Sequence, residues 1–469
     1  MSLPRLNRSL ATPSTLPERI LQFGGGNFLR AFAGELIDQA NGQGLDVGRI
    51  VVLQSVSRDR GAVVAEQDGL CTILTRGVEA GQVVDRPRIL TSVSRALAAG
   101  DTAEWAEVLR LAAHRELRIV LSNTTEAGIK FDGEAKPPQS RAAASFPGKL
   151  CQVLYARWVA LGGAQAPGLA MVPCELIEDN GTSLRTAVLA AAAAWDLPPA
   201  FGAWVTEANA FCDTLVDRIV PGAPKDDAPA LAERLGYDDR LLTIAEPYHL
   251  WAIRGPAWVR DILPLERVGN VVWTDDLPSY RTRKVRVLNG AHTAMAAIGR
   301  LAGLATVGEV FNDAQVGGAI MRLLEREVVP TLAADEGYVA AVLDRFRNPF
   351  LRHELSAISL NATAKWRVRL LPTLRDNVAA GRSSPLIIAS LAALIAIYRG
   401  GRVAVQDEAG ILAAWMRHAP DTRAGLDALL ADSALWGQDI RPYVPIESLA
   451  LALATIRQHG IRDLLKDLA

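Results

Sequence analysis

The stretch Ile20-Leu-Gln-Phe-Gly-Gly-Gly-Asn-Phe-Leu-Arg30 sets four strand-forming residues against three glycines and then an amphipathic run. A strand that turns through glycines into a helix is the opening of a dinucleotide-binding unit, because the glycines let backbone N–H groups approach a pyrophosphate at the helix N-terminus. The third glycine of the usual Gly-x-Gly-x-x-Gly spacing is Leu29 here, so Gly24 to Gly26 carry the reading on context and not on pattern alone.

Working outward, the first half alternates apolar strands (19–23, 49–56, 118–122, 169–172) with stretches of helical periodicity (28–39, 102–113, 147–161, 181–195). That alternation predicts an α/β doubly wound parallel sheet. Segments 72–76 and 82–94 read as an inserted strand pair, and 245–253 and 270–274 as two further strands. Turn signals cluster at Asp275-Asp276-Leu-Pro278, and from Tyr280 onward the periodicity is helical, including 308–330, 337–344, 348–360 and 386–398. The expectation is a Rossmann-type domain over residues 1–277 and an all-α substrate-binding domain over 278–469.

A chain of 469 residues with 50% hydrophobic content has enough apolar surface for two or three cores. A net charge of −1 with interspersed signs argues against an extended nucleic-acid surface. The most apolar run, 386–398, is shorter than the roughly twenty residues of a membrane span and reads as a buried helix. Four dispersed cysteines (71, 151, 174, 212) and six scattered histidines spell no zinc site and suit a reducing compartment. With no signal-peptide pattern among the first twenty residues, a cytoplasmic location is expected.

A second stretch carries the chemistry. Lys284-Val-Arg-Val-Leu-Asn289-Gly-Ala-His292 places an amine, a carboxamide and an imidazole in one helix. At α-helical spacing they fall within an arc of roughly 140°, so their heads can converge on one small ligand. The same spacing also fits a basic helix start followed by a core histidine. Of the fifty basic residues only seven are lysine, and a lysine among cations can release its proton where an arginine cannot.

The Lys-x-Arg-x-Leu-Asn-x-x-His string resembles the signature of the polyol-specific long-chain dehydrogenases, the mannitol dehydrogenase family. The likeness extends through Ile20 to Arg30, Ser122-Asn-Thr-Thr-Glu-Ala-Gly-Ile129, Pro173-Cys-Glu-Leu-Ile177, Thr214-Leu-Val-Asp-Arg-Ile-Val220 and Arg345-Phe-Arg-Asn-Pro-Phe350, nearly the whole chain. The resemblance implies alcohol–ketone oxidoreduction with NAD, and the lack of any cysteine or histidine ligand spacing makes a metal-free reaction the expectation. The resemblance also makes Lys284 the general acid/base, Asn289 an alkoxide-stabilising amide and His292 a substrate-orienting group.

For the cofactor, Phe23, Gly24, Gly25, Gly26, Asn27, Phe28, Leu29 and Arg30 form the pyrophosphate turn. Asn123, Thr124, Thr125 and Glu126, at the carboxyl end of a strand, belong beside the nicotinamide or form a plain turn. After the second strand Ser55, Ser57, Arg58 and Asp59 leave NAD and NADP open, and the resemblance favours NAD.

Asn180, before Gly181, reads either as a second catalytic amide or as a helix N-cap. The family segment carries another asparagine where this chain has Leu176. Asp217 matches an aspartate that accepts from sugar hydroxyls, or else forms a salt bridge on a helix. Lys365 matches a substrate-side lysine, but the arginine eight residues earlier is Ala357 here. Arg352, His353, Lys365 or Arg367 can instead grip the carboxylate of a sugar acid. Exposed helix charges account for the same residues, and a dinucleotide-binding sensor without turnover is the reading from another class.

Overall fold

The computed structural model describes residues 3–54, 58–124, 128–223, 227–332, 336–401 and 403–468, without the side chains of 58–60 and 336. Ser55, Ser57, Thr125 and Glu126 lie outside the described residues, so the region expected to choose between NAD and NADP is described only in the helix backbone at Arg58 and Asp59. Contacts divide the chain into two units, Met1–Arg76 with Val84–Leu277, and Gly77–Val83 with Pro278–Ala469.

The first unit holds the strands. These are β1 (Glu18–Phe23), β2 (Arg49–Gln54), β3 (Cys71–Glu79), β4 (Gln82–Leu90), β5 (Val93–Ala98), β6 (Ile119–Ser122), β7 (Ala170–Pro173), β8 (Ala210–Phe211), β9 (Asp213–Asp217), β10 (Thr243–Ala245), β11 (Leu250–Arg254) and β12 (Val271–Trp273). Six of them form one sheet in the order β5-β2-β1-β6-β7-β8, with every pairing parallel.

Its strands are apolar on both faces because both faces are covered. Ile20, Ile50, Val52, Ile119 and Leu121 enter one core with Phe32, Leu36 and Trp251. Their neighbours Leu21, Val51, Leu53 and Val120 enter the other with Trp105, Leu150 and Phe201. Alternate side chains of a strand point to opposite faces, so continuous apolar runs are what a sheet packed on both sides requires. Two three-stranded sheets, β10-β3-β4 and β12-β11-β9, complete the unit.

The stretch 82–94 proves to be two strands. Asp38 accepts from the Thr91 N–H at 2.7 Å and the Thr91 hydroxyl at 3.0 Å, turning the chain, and Ser92 O accepts from Ile50 N at 2.8 Å to start β5 on the main sheet. The run 245–253 likewise breaks between β10 and β11. The tip Gly77–Val83 groups with the second unit, where Gly81 N donates to Asp344 Oδ2 at 3.1 Å.

Helices make up most of the rest of the second unit. The helix Pro385–Gly400 is buried through most of its length and packs against Gly290–Leu301 and Ile446–His459. Segment 348–360 is the exception to the expected helices. Only Leu355–Ile358 is helical. Leu355 N instead donates to Ala305 O, and His353 O accepts from Val307 N. Pro349 also disfavours helical backbone at Asn348, the residue before it.

Candidate active site

In the first unit the end of β1 is built for close backbone approach. Gly24 has φ +102°, a conformation open to glycine, and its N–H donates to Leu53 O at 2.9 Å. A Cβ on Gly25 would stand 2.9 Å from Gln54 Nε2 and 3.3 Å from Val52 Cγ1. The Arg30 guanidinium reaches back to Gly25 O at 3.0 Å and also donates to Leu241 O and Thr243 Oγ1.

Gly26 differs. It caps the helical stretch 27–42, without a side-chain cap, and a Cβ there would meet nothing within 4 Å. Open space in front of uncapped helix N–H groups fits a pyrophosphate, so these residues suit a dinucleotide. What Phe23 and Leu29 can offer a ligand is backbone, since their side chains are core, and the Arg30 side chain braces the loop.

At the end of β6 the buried Glu175 carboxylate accepts from Ser122 Oγ (3.0 Å), Thr124 N (2.9 Å) and Thr124 Oγ1 (3.0 Å), while Asn123 Nδ2 donates to Cys174 O. Glu175 therefore holds the strand-to-loop turn to the segment after β7. Its role was not legible in sequence, because no local spacing links residues 122 and 175.

Asn180 is fully buried. Its amide nitrogen lies within bonding distance of Pro173 O, Glu175 O and Thr214 Oγ1, and its oxygen accepts from Gly181 N and Thr214 N. It clamps the ends of β7 and β9, and the helix N-cap is Asp179, not Asn180. Asp217 is buried at the end of β9, a strand position and not a helical one.

In the second unit the trio sits at a change of helix type. Lys284–Asn289 is π-helical, between the α-helices Leu277–Arg283 and Gly290–Leu301, and Gly290 N donates to Val285 O five residues back. This corrects the uniform α-helical arc. An i→i+5 repeat brings Lys284 and Asn289 onto nearly one face, and single π turns recur at functional sites. Of the neighbouring cations, Arg286 pairs with Asp376, and Arg283 lies over the rings of Tyr280 (4.8 Å) and Tyr338 (4.3 Å).

His292 is buried with its ring 4.8 Å from Phe346 and 4.9 Å from His353. Burial, then the nearby His353, Arg345, Arg369 and Lys365, push it well below the ordinary histidine range, so the imidazole is neutral. Burial also lowers His353. Among the described residues neither ring makes a side-chain hydrogen bond, which leaves ring nitrogens for a ligand.

The four cations proposed for a carboxylate separate cleanly. The Arg352 side chain is 77% exposed and pairs with Glu354. His353 meets the His292 ring edge to face. Lys365 Nζ donates to Ile358 O at 2.9 Å, and burial lowers its pKa. Arg367 lies against Gly437, where a Cβ would meet its Cδ at 3.3 Å.

The mannitol dehydrogenase Rossmann domain model matches residues 18–267 and the mannitol dehydrogenase C-terminal domain model matches 276–456. The chain belongs to the mannitol dehydrogenase family and is an oxidoreductase acting on CH–OH groups. It is 42% identical to an altronate oxidoreductase of Halalkalibacterium halodurans, over 96% of this chain and 93% of that protein. Proteins of the same name from Klebsiella pneumoniae (41%, 99% of each chain) and Bacillus subtilis (38%, 99% of this chain and 98% of that one) are also similar.

Among solved structures, a D-sorbitol dehydrogenase shares the fold at TM-score 0.83 and 23% identity, covering 98% of this chain and 100% of that one. Mannitol 2-dehydrogenase of Pseudomonas fluorescens, solved with NAD and D-mannitol, matches at TM-score 0.66 and 26% identity over 99% of each chain.

Proposed function

We propose that the protein catalyses the NAD-dependent, metal-independent and reversible reduction of D-tagaturonate to D-altronate, a cytoplasmic step in hexuronate breakdown. Near-full-length similarity to altronate oxidoreductases from several bacteria supports the substrate. The fit of the Gly24 to Gly26 turn to a pyrophosphate, and the NAD in a related solved structure, support the cofactor. The observation that carries the chemistry is the π turn that gathers Lys284 and Asn289 beside a neutral, buried His292.

A bound nicotinamide supplies the hydride in reduction and accepts it in oxidation. In reduction the Lys284 ammonium gives a proton to the carbonyl oxygen, and in oxidation the amine takes it from the hydroxyl. The Asn289 amide donates to the alkoxide as charge develops. His292, held neutral, both donates to and accepts from a substrate hydroxyl, fixing the carbinol carbon. In this reading Asp217 binds sugar hydroxyls and Asn180 holds the ends of β7 and β9 together.

Steady-state NADH oxidation with tagaturonate, fructuronate and fructose tests the proposal. The expected outcome is the highest kcat/KM for tagaturonate. Preference for fructuronate moves the enzyme to mannonate formation, comparable rates with fructose remove the sugar acid, and NADH binding without turnover on any of them makes the protein a sensor.

A further inference from the structure

A half-buried guanidinium with no anion beside it is costly unless a ligand brings the charge. Arg369 is such a group. Its NH1 lies 3.2 Å from Thr293 Oγ1 and 3.5 Å from Asn289 O, both neutral, and among the described residues it has no carboxylate partner. Burial lowers its pKa, the mark of an uncompensated charge. Arg286, Arg352 and Arg462 of the same unit are each paired with an acid.

Its position follows from its helix, Ala362–Arg369. Lys365 and Arg369 are four residues apart and share one face, while Arg367, two residues from Arg369, points elsewhere and rests on Gly437. Trp366 anchors the helix from within, donating to Ser390 Oγ at 3.1 Å and standing 5.6 Å from Trp436. The face that remains puts Arg369 against Asn289 and Thr293, on the helical stretch that also carries Lys284 and His292. Arg345 and Lys365 add positive charge around the same imidazole.

We propose that Arg369 is the residue that grips the substrate carboxylate, with two of its five N–H donors on the acid and NH1 kept on Thr293. The inference rests on the sugar-acid reading above. In tagaturonate the carboxylate is four carbon–carbon bonds from the ketone, so an anchor adjoining Asn289 holds one end of the substrate while the reacting carbon meets Lys284. Arg352, His353 and Arg367, the alternatives that spacing offered, are thereby set aside, and Lys365 contributes field without direct contact.

The test compares wild type, Arg369→Gln and Arg369→Lys on tagaturonate and on the ketose that carries CH2OH in place of the carboxylate. Loss of a desolvated charge partner predicts that Arg369→Gln lowers kcat/KM for tagaturonate about 100-fold or more, mainly through KM, and changes the ketose less than about 5-fold. Arg369→Lys recovers part of the loss, and added guanidinium restores tagaturonate reduction in Arg369→Ala, a rescue that a misfolded variant cannot show. Equal losses on both substrates, or no loss on either, overturn the role of Arg369 while wild-type preference for the acid keeps the sugar-acid reading. A wild type that does not discriminate the two substrates overturns that reading, and this inference with it.

Discussion

In the proposed reaction Lys284, Asn289 and His292 divide the work by what each side chain can do with a proton. The amine exchanges it, the amide only donates, and the imidazole in its neutral form does both. Lys284→Met is expected to keep NADH affinity and lose about two to four orders of magnitude in kcat, the range for a positioned acid/base group. Near-wild-type turnover would remove Lys284 from the reaction.

His292 also carries a stability signature. Its folded pKa lies well below the ordinary value, so between the two the unfolded chain binds more protons than the folded one. The contribution is complete above the unfolded pKa of about 6.5 and is lost as pH falls from there toward the folded value. Urea midpoints of wild type and His292→Gln should converge as pH drops below about 6.5. A constant difference across that range would show that the buried imidazole is not what titrates.

At the scale of elements, the turn after β1 and the π turn at Lys284 each use one backbone departure to aim polar groups. Gly24 pays for its turn with φ +102°, and Gly24→Ala is expected to destabilise the protein by about 1–3 kcal/mol. Gly26 stands in open space, so Gly26→Ala should unfold at the wild-type temperature yet bind NADH at least about 10-fold more weakly, a methyl group having entered the pyrophosphate's place. Calorimetry and NADH fluorescence titration on the pair separate the two effects. If Gly26→Ala binds NADH normally, the turn is not the cofactor cradle.

The elements also differ in how readable they were. Strands β1, β2, β6 and β7 were legible because a sheet buried on both faces needs unbroken apolar runs. The break between β4 and β5 was not, because it depends on Asp38, over fifty residues away, accepting from Thr91. The π register at 284–289 has no sequence signal either, since it shifts hydrogen bonds by one residue without changing which residues favour a helix.

For the whole molecule, the donor sets bear on metal dependence. Among the described residues no group of three or more His, Cys, Asp or Glu side chains could hold a metal ion, and all four cysteines are buried and free. Exhaustive chelation is expected to leave turnover unchanged, and loss of activity restored by one divalent metal would overturn the metal-independent mechanism. No helix among the described residues is long and apolar enough to cross a membrane.

By itself the sequence determined the two architectures, the glycine turn and the Lys284, Asn289, His292 trio, because periodicity and short spacing are local properties of a chain. Only tertiary structure decided that Asn180 is a clamp, that Glu175 braces the turn after β6, and that Arg369 rather than Arg352 or Arg367 faces Asn289. Those assignments depend on which acid or carbonyl has already taken each polar group, and partners distant in sequence meet only when the chain is packed.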